Sequence, residues 1–536
     1  MNIFEQIKAK SYLIIASLHT LLSIYFDHNI FIPEHLLIKK IYLIIKPIAI
    51  ITIFIFWWGL FKIIKAATSG NVFAKKFILH FFIYLSIMLF FLILVWPGIW
   101  RSDEPNLLMT DVNLMFNRWH HWLTDAYFIW ALCILGFPTG IIIVQNIFIS
   151  AIFAYIVSKC ETLFNSRLAW LLYIPYLFPS IIDSNLYPLR ASVITHLEAL
   201  FVMVIFFYFI SKEKIKTYMY LYAGIIISVL ATWRSEGIYY IALAPVLLLV
   251  LLSKQLDLKK VAAMWLSIVL CVFGINAVQK RNNPLHPVYQ LSMLIGHLSA
   301  LVNDEATAIT VEEQEIIDDV FPPACNKDYL GEFVRVVGDE NVKKDATFDK
   351  KVSRLQKLYI KLILRNPKTF FKDCWQLFKK TSIITHDVDV LCANTSAAFD
   401  PGYADIFGTI MSNPHGNYYF HLPWSVEVRK KVVSFLECRH FDNYHEAYNS
   451  HLIFYNVLPS ALILSICMLI GMIKRKKEMF FISAFLLIRF GIVFVSAPVW
   501  FVMYYFPTLL SSYVMLIAFL LDNLKTKKLL SQCKNH

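Results

Sequence analysis

The chain has 536 residues, of which 58% are hydrophobic, 16% aromatic and only 16% charged, and its formal net charge is +13. A soluble domain carries about 25% charged residues, and a mean hydropathy of +0.59 cannot describe an apolar core wrapped in a polar surface. The composition excludes a soluble enzyme, a disulfide-stapled secreted domain, a fibrous protein and a disordered chain.

The first apolar run, residues 11–26, follows Lys8 and Lys10 much as a signal peptide would. Asp27-His28-Asn29 then replaces the small-residue cleavage site, so the run reads as an uncleaved signal anchor. Further strong spans are predicted at 41–61, 77–96, 138–158, 192–210, 217–233, 238–253 and 261–278. After a long polar stretch come 451–473, 479–496 and 507–521. Such runs can cross a hydrocarbon core ~30 Å thick. Two weaker apolar segments, 123–137 and 168–182, leave an ambiguity, because the charge pattern requires that only one of them cross. The other is re-entrant or interfacial. The predicted fold class is an all-α polytopic membrane protein with about twelve transmembrane helices, eleven strong spans and one weak one. It divides into 1–278, with a first outer loop at 97–124, then 279–450 and 451–536. Lys46, in the second span beside a kinking Pro47, is assigned no role.

With the N-terminus in the cytoplasm, the inner connections hold 20 Lys and Arg residues. The short outer connections hold six, namely Lys39, Lys40, Arg101, Arg118, Arg190 and Arg234. This is the positive-inside asymmetry. Residues 279–450 then face outward and are nearly neutral, with 20 basic and 22 acidic residues. The surplus charge therefore lies beside anionic lipid rather than in a nucleic-acid groove, and no zinc-finger or RNA-binding signature is present.

Within the outer stretch, residues 311–317 open after Thr310 as a capping box would. Residues 357–378 mix basic with apolar and aromatic residues, broken at Asn366-Pro367, which suits a helix lying on the membrane face. Residues 424–438 also read as helical, and 386–423 show no period. Cys325, Cys374, Cys392 and Cys438 could pair in an oxidising compartment, in any of three ways, and their spacing is too irregular for zinc. Cys133, Cys271 and Cys467 read as small hydrophobes.

Chemistry at a membrane surface needs ionisable groups at the outer ends of spans. The first cluster is Trp96-Pro97-Gly98-Ile99-Trp100-Arg101-Ser102-Asp103-Glu104, where Pro97 and Gly98 break the helix and two carboxylates follow. Asp111 and the run Asn117-Arg118-Trp119-His120-His121-Trp122 continue it. A carboxylate near a low-dielectric wall is inclined to take a proton, which suits a general base, whereas a solvated loop with tryptophan anchors is the plainer alternative. The second cluster is the tight turn Arg234-Ser235-Glu236-Gly237. The third runs from Asp183 to Arg190, with His196 and Glu198 in the span beyond. Either turn could be a salt-bridged corner or could offer an arginine to a lipid phosphate. Arg489, near the middle of an apolar run, demands a buried partner or a polar cavity. Tyr504 and Tyr505 belong to an interfacial aromatic run. There is no Walker loop, dinucleotide turn or His/Glu metal box, so an activated substrate would have to supply the energy.

This layout resembles the bacterial GT-C membrane glycosyltransferases that use polyprenyl-phosphate sugars to modify O-antigen or other surface glycans. The resemblance covers the whole chain in layout. Its motifs are short: 96–104, 119–124, Arg234-Ser235-Glu236-Gly237, and Pro507 after the tyrosine pair. It implies a GT-C-like fold in the bacterial inner membrane, with the large domain extracytoplasmic. It also implies that Asp103 acts as catalytic base with Glu104 as its partner, and that the reaction inverts the sugar configuration. Arg234, Arg190, Arg489, Tyr504 and Tyr505 would contact the donor phosphate or lipid, while Asp111, His120, His121 and Glu236 would contact the acceptor or play supporting roles. No cofactor is fixed by the resemblance, and a divalent cation could be held by the carboxylates. The partners would be a lipid-linked sugar, a lipid-linked or polymeric glycan, and membrane lipid, with no nucleic acid. Met503-Tyr504 stands where many relatives carry Arg-Tyr, and the N-terminal hairpin, residues 1–76, departs from the common layout. The alternatives are a polysaccharide polymerase or ligase using polyprenyl diphosphate, and a flippase or transporter.

Overall fold

Long apolar runs become helices because a helix satisfies its own backbone groups, which hydrocarbon cannot do. The computed structural model describes residues 3–31, 33–36, 38–100, 103–116, 120–282, 286–321, 347–382, 424–440, 448–498 and 501–534. Among the described residues it is all-helical, with no strands, and nine of its helices are long and apolar enough to cross a membrane.

The first unit contains α1 (Ile3–Ile30), the short α2 (Pro33–Leu36), α3 (Lys40–Thr68), α4 (Val72–Leu94), α5 (Asp103–Val112), α6 (Trp122–Leu132) and α7 (Pro138–Phe164). A 3-10 turn (Arg167–Leu172) leads through α8 (Tyr173–Tyr176) and α9 (Pro179–Asn185) to α10 (Arg190–Ser211), α11 (Thr217–Thr232), α12 (Tyr240–Leu252) and α13 (Leu258–Asn282). The polar stretch forms α14 (His286–Asn303), α15 (Val311–Asp318), α16 (Phe348–Arg365), α17 (Pro367–Thr381) and α18 (Val426–Glu437). The chain ends with α19 (His451–Phe454), α20 (Leu458–Ile473), α21 (Lys477–Ser496) and α22 (Phe506–Lys534).

Burial ranks these helices. The apolar windows of α7 and α10 are each 72% buried and that of α22 is 67% buried, against 22% for α3 and α13. The central three carry small residues such as Ser150, Ala154, Ser158, Ser192, Ala199, Ser511, Ser512 and Ala518, all buried, which let helices approach closely. The outer helices instead expose large apolar side chains, including Ile44, Ile55, Leu266 and Phe273. In water such a band would be unstable. Facing lipid, it carries no penalty.

The loops sort by charge onto the two ends of the bundle. Lys76 meets Glu161 at 3.3 Å, Lys525 donates to Leu163 O at 2.8 Å, and Lys476 meets Asp522 at 3.0 Å, so the lysine-rich connections share one end, the basic end. The opposite end carries Gly98, Arg190, Arg234 and the helices between α13 and α19.

The two weak segments behave differently. The chain from Arg167 to Asn185 runs from the basic end toward the opposite one in three short pieces. Trp170 packs on His80 near the start of α4, the Tyr176 carbonyl accepts from Tyr84, and the Asn185 carbonyl accepts from Gln145 and Asn146. Segment 122–139 enters and leaves at the same end. Trp122 donates to Gln279 and to the Ile275 carbonyl near the end of α13. The Cys133 carbonyl, at the far end of α6, accepts from Ser23 and Lys46, and the Ile134 carbonyl bonds His19. Thr139 is already back beside Pro97, donating to its carbonyl at 3.0 Å. Lys46 is thus far from idle: it is buried, 2.5 Å from Asp27, and holds the end of α6.

The helices between α13 and α18 carry a small core of their own. Thr310 and Glu313 form the expected capping box, and the Glu313 carboxylate also receives Arg365 and Lys361. The Arg365 hydrogen bonds, followed by those of Lys361 and the cap backbone, hold that carboxyl well below the usual range. The region expected to lie on the membrane face is two helices, broken at Asn366. Most of their apolar face is turned inward: Val352, Leu355, Leu358 and Leu362 pack with Leu291, Ile295 and Phe370, leaving Phe371 and Trp375 exposed. Cys374 lies in this core and Cys438 in the main one, so these two do not pair with each other. Cys325, Cys392 and all of 386–423 lie outside the described residues.

Candidate functional site

The end of α4 is shaped by its neighbours. Gly98 has φ +115°, a backbone conformation that strains any residue with a Cβ, and a Cβ there would also push against Ile142 Cδ1. Arg429 of α18, itself buried, donates to the carbonyls of Val95, Trp96 and Gly98, the last at 2.9 Å. These carbonyls follow the last turn of α4, where a cation is favoured. One arginine of the polar stretch thereby ties α18 to the loop that leads into α5.

Asp103 opens α5, and its side chain, like residues 101–102 and 117–119, lies outside the described residues. Glu104 and Asp111 on the same helix are buried. Asp111 faces Asp125, near the start of α6. Burial first, and then the neighbouring Asp125 carboxyl, push Asp111 well above the usual carboxylate range. Two carboxyls that meet away from water share a proton, since both cannot be charged. His121 caps α6, its ring accepting from Leu123 N. Buried His120 is pushed down to about 3, chiefly by burial and further by the Arg190 guanidinium, so its imidazole is neutral at physiological pH.

Next to α6 stands the arginine turn. Trp233 donates to the Thr124 hydroxyl at 3.1 Å, linking this turn to the residue beside Asp125. Gly237 lets the turn fold back onto α11, because a Cβ there would meet the Leu230 carbonyl oxygen at 1.9 Å. Arg234 pairs with Glu236, and its guanidinium lies 4.7 Å from the centre of the Tyr504 ring, a cation–π geometry. Arg190 is close enough to act electrostatically on both His120 and Glu236. The buried partner that Arg489 demands is Glu198, at 2.7 Å, which also accepts from Tyr240. Arg489 reaches further to the Tyr504 carbonyl at 3.2 Å and the Thr508 hydroxyl at 3.4 Å.

The cluster therefore unites His120, Arg190, Glu198, Arg234, Glu236, Arg489 and Tyr504. Tyr505 stands apart, buried between Phe378 and Phe490 in apolar packing. Met503 packs on Tyr187, Leu189 and Ala191. Sequence reasoning missed Asp125, Lys46 and Arg429. Asp125 and Lys46 were detectable as lone charges in apolar runs, but nothing in the sequence distinguishes Arg429 from its basic neighbours.

Chemically, paired arginines can grip an anionic group while neighbouring carboxyls hold or move a proton. Among the described residues, no three His, Cys, Asp or Glu side chains converge as metal ligands. No family model, curated protein or solved structure matches the chain.

Proposed function

We propose that this protein is an integral-membrane glycosyltransferase of GT-C type. It would move a sugar from a polyprenyl-phosphate donor to a surface-glycan acceptor at the outer face of a bacterial inner membrane. The observation that carries the reading is the buried cluster: the bundle gathers Arg190, Arg234, Arg489, Glu198 and Glu236 at one end, beside a short helix bearing Glu104 and Asp111. Ionisable groups in such surroundings are costly and mark functional sites.

In the proposed reaction Asp103 takes the proton from an acceptor hydroxyl. The hydroxyl oxygen bonds the anomeric carbon from the face opposite the phosphate, and the bond from that carbon to the phosphate oxygen breaks. The lipid phosphate leaves with the electron pair, stabilised by arginine, and the sugar configuration inverts. One base suffices because phosphate is already a good leaving group. The decisive experiment compares linkage-resolved surface glycan from cells with and without the gene. Loss of one side-branch sugar supports transfer, whereas altered chain length supports a polymerase.

Twelve crossings are proposed: the nine long apolar helices, α1, α11 and the broken segment 167–185, with α6 re-entrant. The basic end faces the cytoplasm. A cysteine at exposed Glu312 is expected to react with an impermeant thiol reagent in intact spheroplasts. Reaction only after the membrane is opened would overturn the topology and the lipid-sugar mechanism together.

Arg234→Lys keeps the charge but loses the planar fork and the stacking on Tyr504. Donor use is expected to fall about tenfold or more, read as a raised KM for the lipid-linked donor. Wild-type donor dependence in the lysine variant would remove Arg234 from the phosphate site.

A further inference from the structure

A second feature lies in the other half of the bundle. A cavity of about 580 Å³ opens between α4, α7, α10, α11 and α12, lined by residues that include Phe77, Tyr155, Val204, Tyr208 and Ala223. That is within the ~300–1,000 Å³ typical of ligand sites. The side nearest the ionic cluster is walled by Phe201, whose ring stands 5.9 Å from Tyr240 and 6.0 Å from Phe485. These rings separate the cavity from Glu198 and Arg489.

The lining reaches the basic end, where exposed Tyr218 near the start of α11 belongs to it. Ile215 lines the cavity and sits in the connection between α10 and α11, flanked by exposed Lys214 and Lys216. Lys212, also exposed, ends α10 in a left-handed conformation. Lys260 is held nearby, donating to Thr217 at 3.0 Å and standing 3.7 Å from Asp257. Glu213 is the acidic residue within the connection. An apolar slot next to a connection with three exposed lysines and one glutamate matches an amphiphile with an anionic head.

We propose that this cavity holds an acyl chain of an anionic phospholipid from the leaflet at the basic end, with the headgroup at Lys212, Lys214 and Lys216. The occupant is a structural lipid and is distinct from the sugar donor, whose phosphate would sit beyond the Phe201 wall at the opposite end. The chain fills the gap between α7 and α11. The inference needs only the membrane placement of the bundle and is independent of any transferase activity.

The test is native mass spectrometry of the full chain from nanodiscs of equimolar phosphatidylglycerol and phosphatidylcholine. One phosphatidylglycerol is expected to remain on each chain. Replacing Lys212, Lys214 and Lys216 together by alanine should cut the preference for the anionic lipid by about tenfold or more while leaving the fold intact, because all three are exposed. Ala223→Trp, which fills the slot, should remove retention of either lipid, and Val204→Phe on the facing wall should do the same if the tryptophan variant unfolds. Equal retention of both lipids by the wild-type chain would overturn the proposal. So would undiminished retention in a folded slot-filled variant, or a polyprenyl phosphate released in place of the phospholipid.

Discussion

Replacing Arg489 with methionine is expected to be among the most destabilising single changes in the bundle, at about 3–5 kcal/mol. Glu198 is fully buried, and its carboxylate has Arg489 at 2.7 Å together with the Tyr240 hydroxyl. Without the guanidinium, the buried charge keeps only neutral tyrosine donors. The cost is mainly that of the stranded carboxylate, so Glu198→Gln in the same chain should recover a large part of it. A double-mutant cycle in detergent, read by thermal unfolding, measures the coupling. A single-mutant loss below about 1 kcal/mol would mean that the pair behaves as a solvated surface bridge. The pair joins α10 to α21, so its loss should also loosen the seat of Tyr504, whose carbonyl Arg489 holds.

The second large effect concerns chemistry. On the proposed mechanism, Asp103→Asn keeps the shape of the side chain and removes the proton acceptor, so turnover should fall ~10²–10⁴-fold. Insertion and yield should stay normal. Purified protein in liposomes, given a lipid-linked sugar and an acceptor, provides the measurement. Near-normal transfer by this variant with an inactive Glu104→Gln moves the role to the buried neighbour. Activity in both removes the carboxylate-base mechanism, and dependence on the arginines alone then points to the polymerase or ligase class.

Much of the fold was legible because hydrocarbon imposes a simple rule on composition. The strong apolar runs predicted from the sequence coincide with helices, as 192–210 does with Arg190–Ser211 and 479–496 with Lys477–Ser496, while 451–473 is broken into α19 and α20. The choice between segments 123–137 and 168–182 was not legible, because both are short and apolar. What separates them is tertiary: side chains of α1 and α3 hold the carbonyls at the end of α6. The site was legible one residue at a time. A charge in an apolar run announces that it has a partner, as Arg489 did, but the sequence does not say which. Glu198 lies on α10, far away in the chain, and only packing selects it over Glu236. Arg429 carried no signal at all, since its partners are main-chain carbonyls, which every residue possesses.

The hold on α6 also bears on how the protein is made. The Cys133 and Ile134 carbonyls find donors in Ser23, Lys46 and His19, all of which leave the ribosome about a hundred residues earlier. Biosynthesis therefore delivers the clamp before the element it grips. A shortened chain that starts after Ser69 would bring α6 to the membrane with no donors waiting for those carbonyls. The opening hairpin thus serves the later chain as a built-in assembly jig.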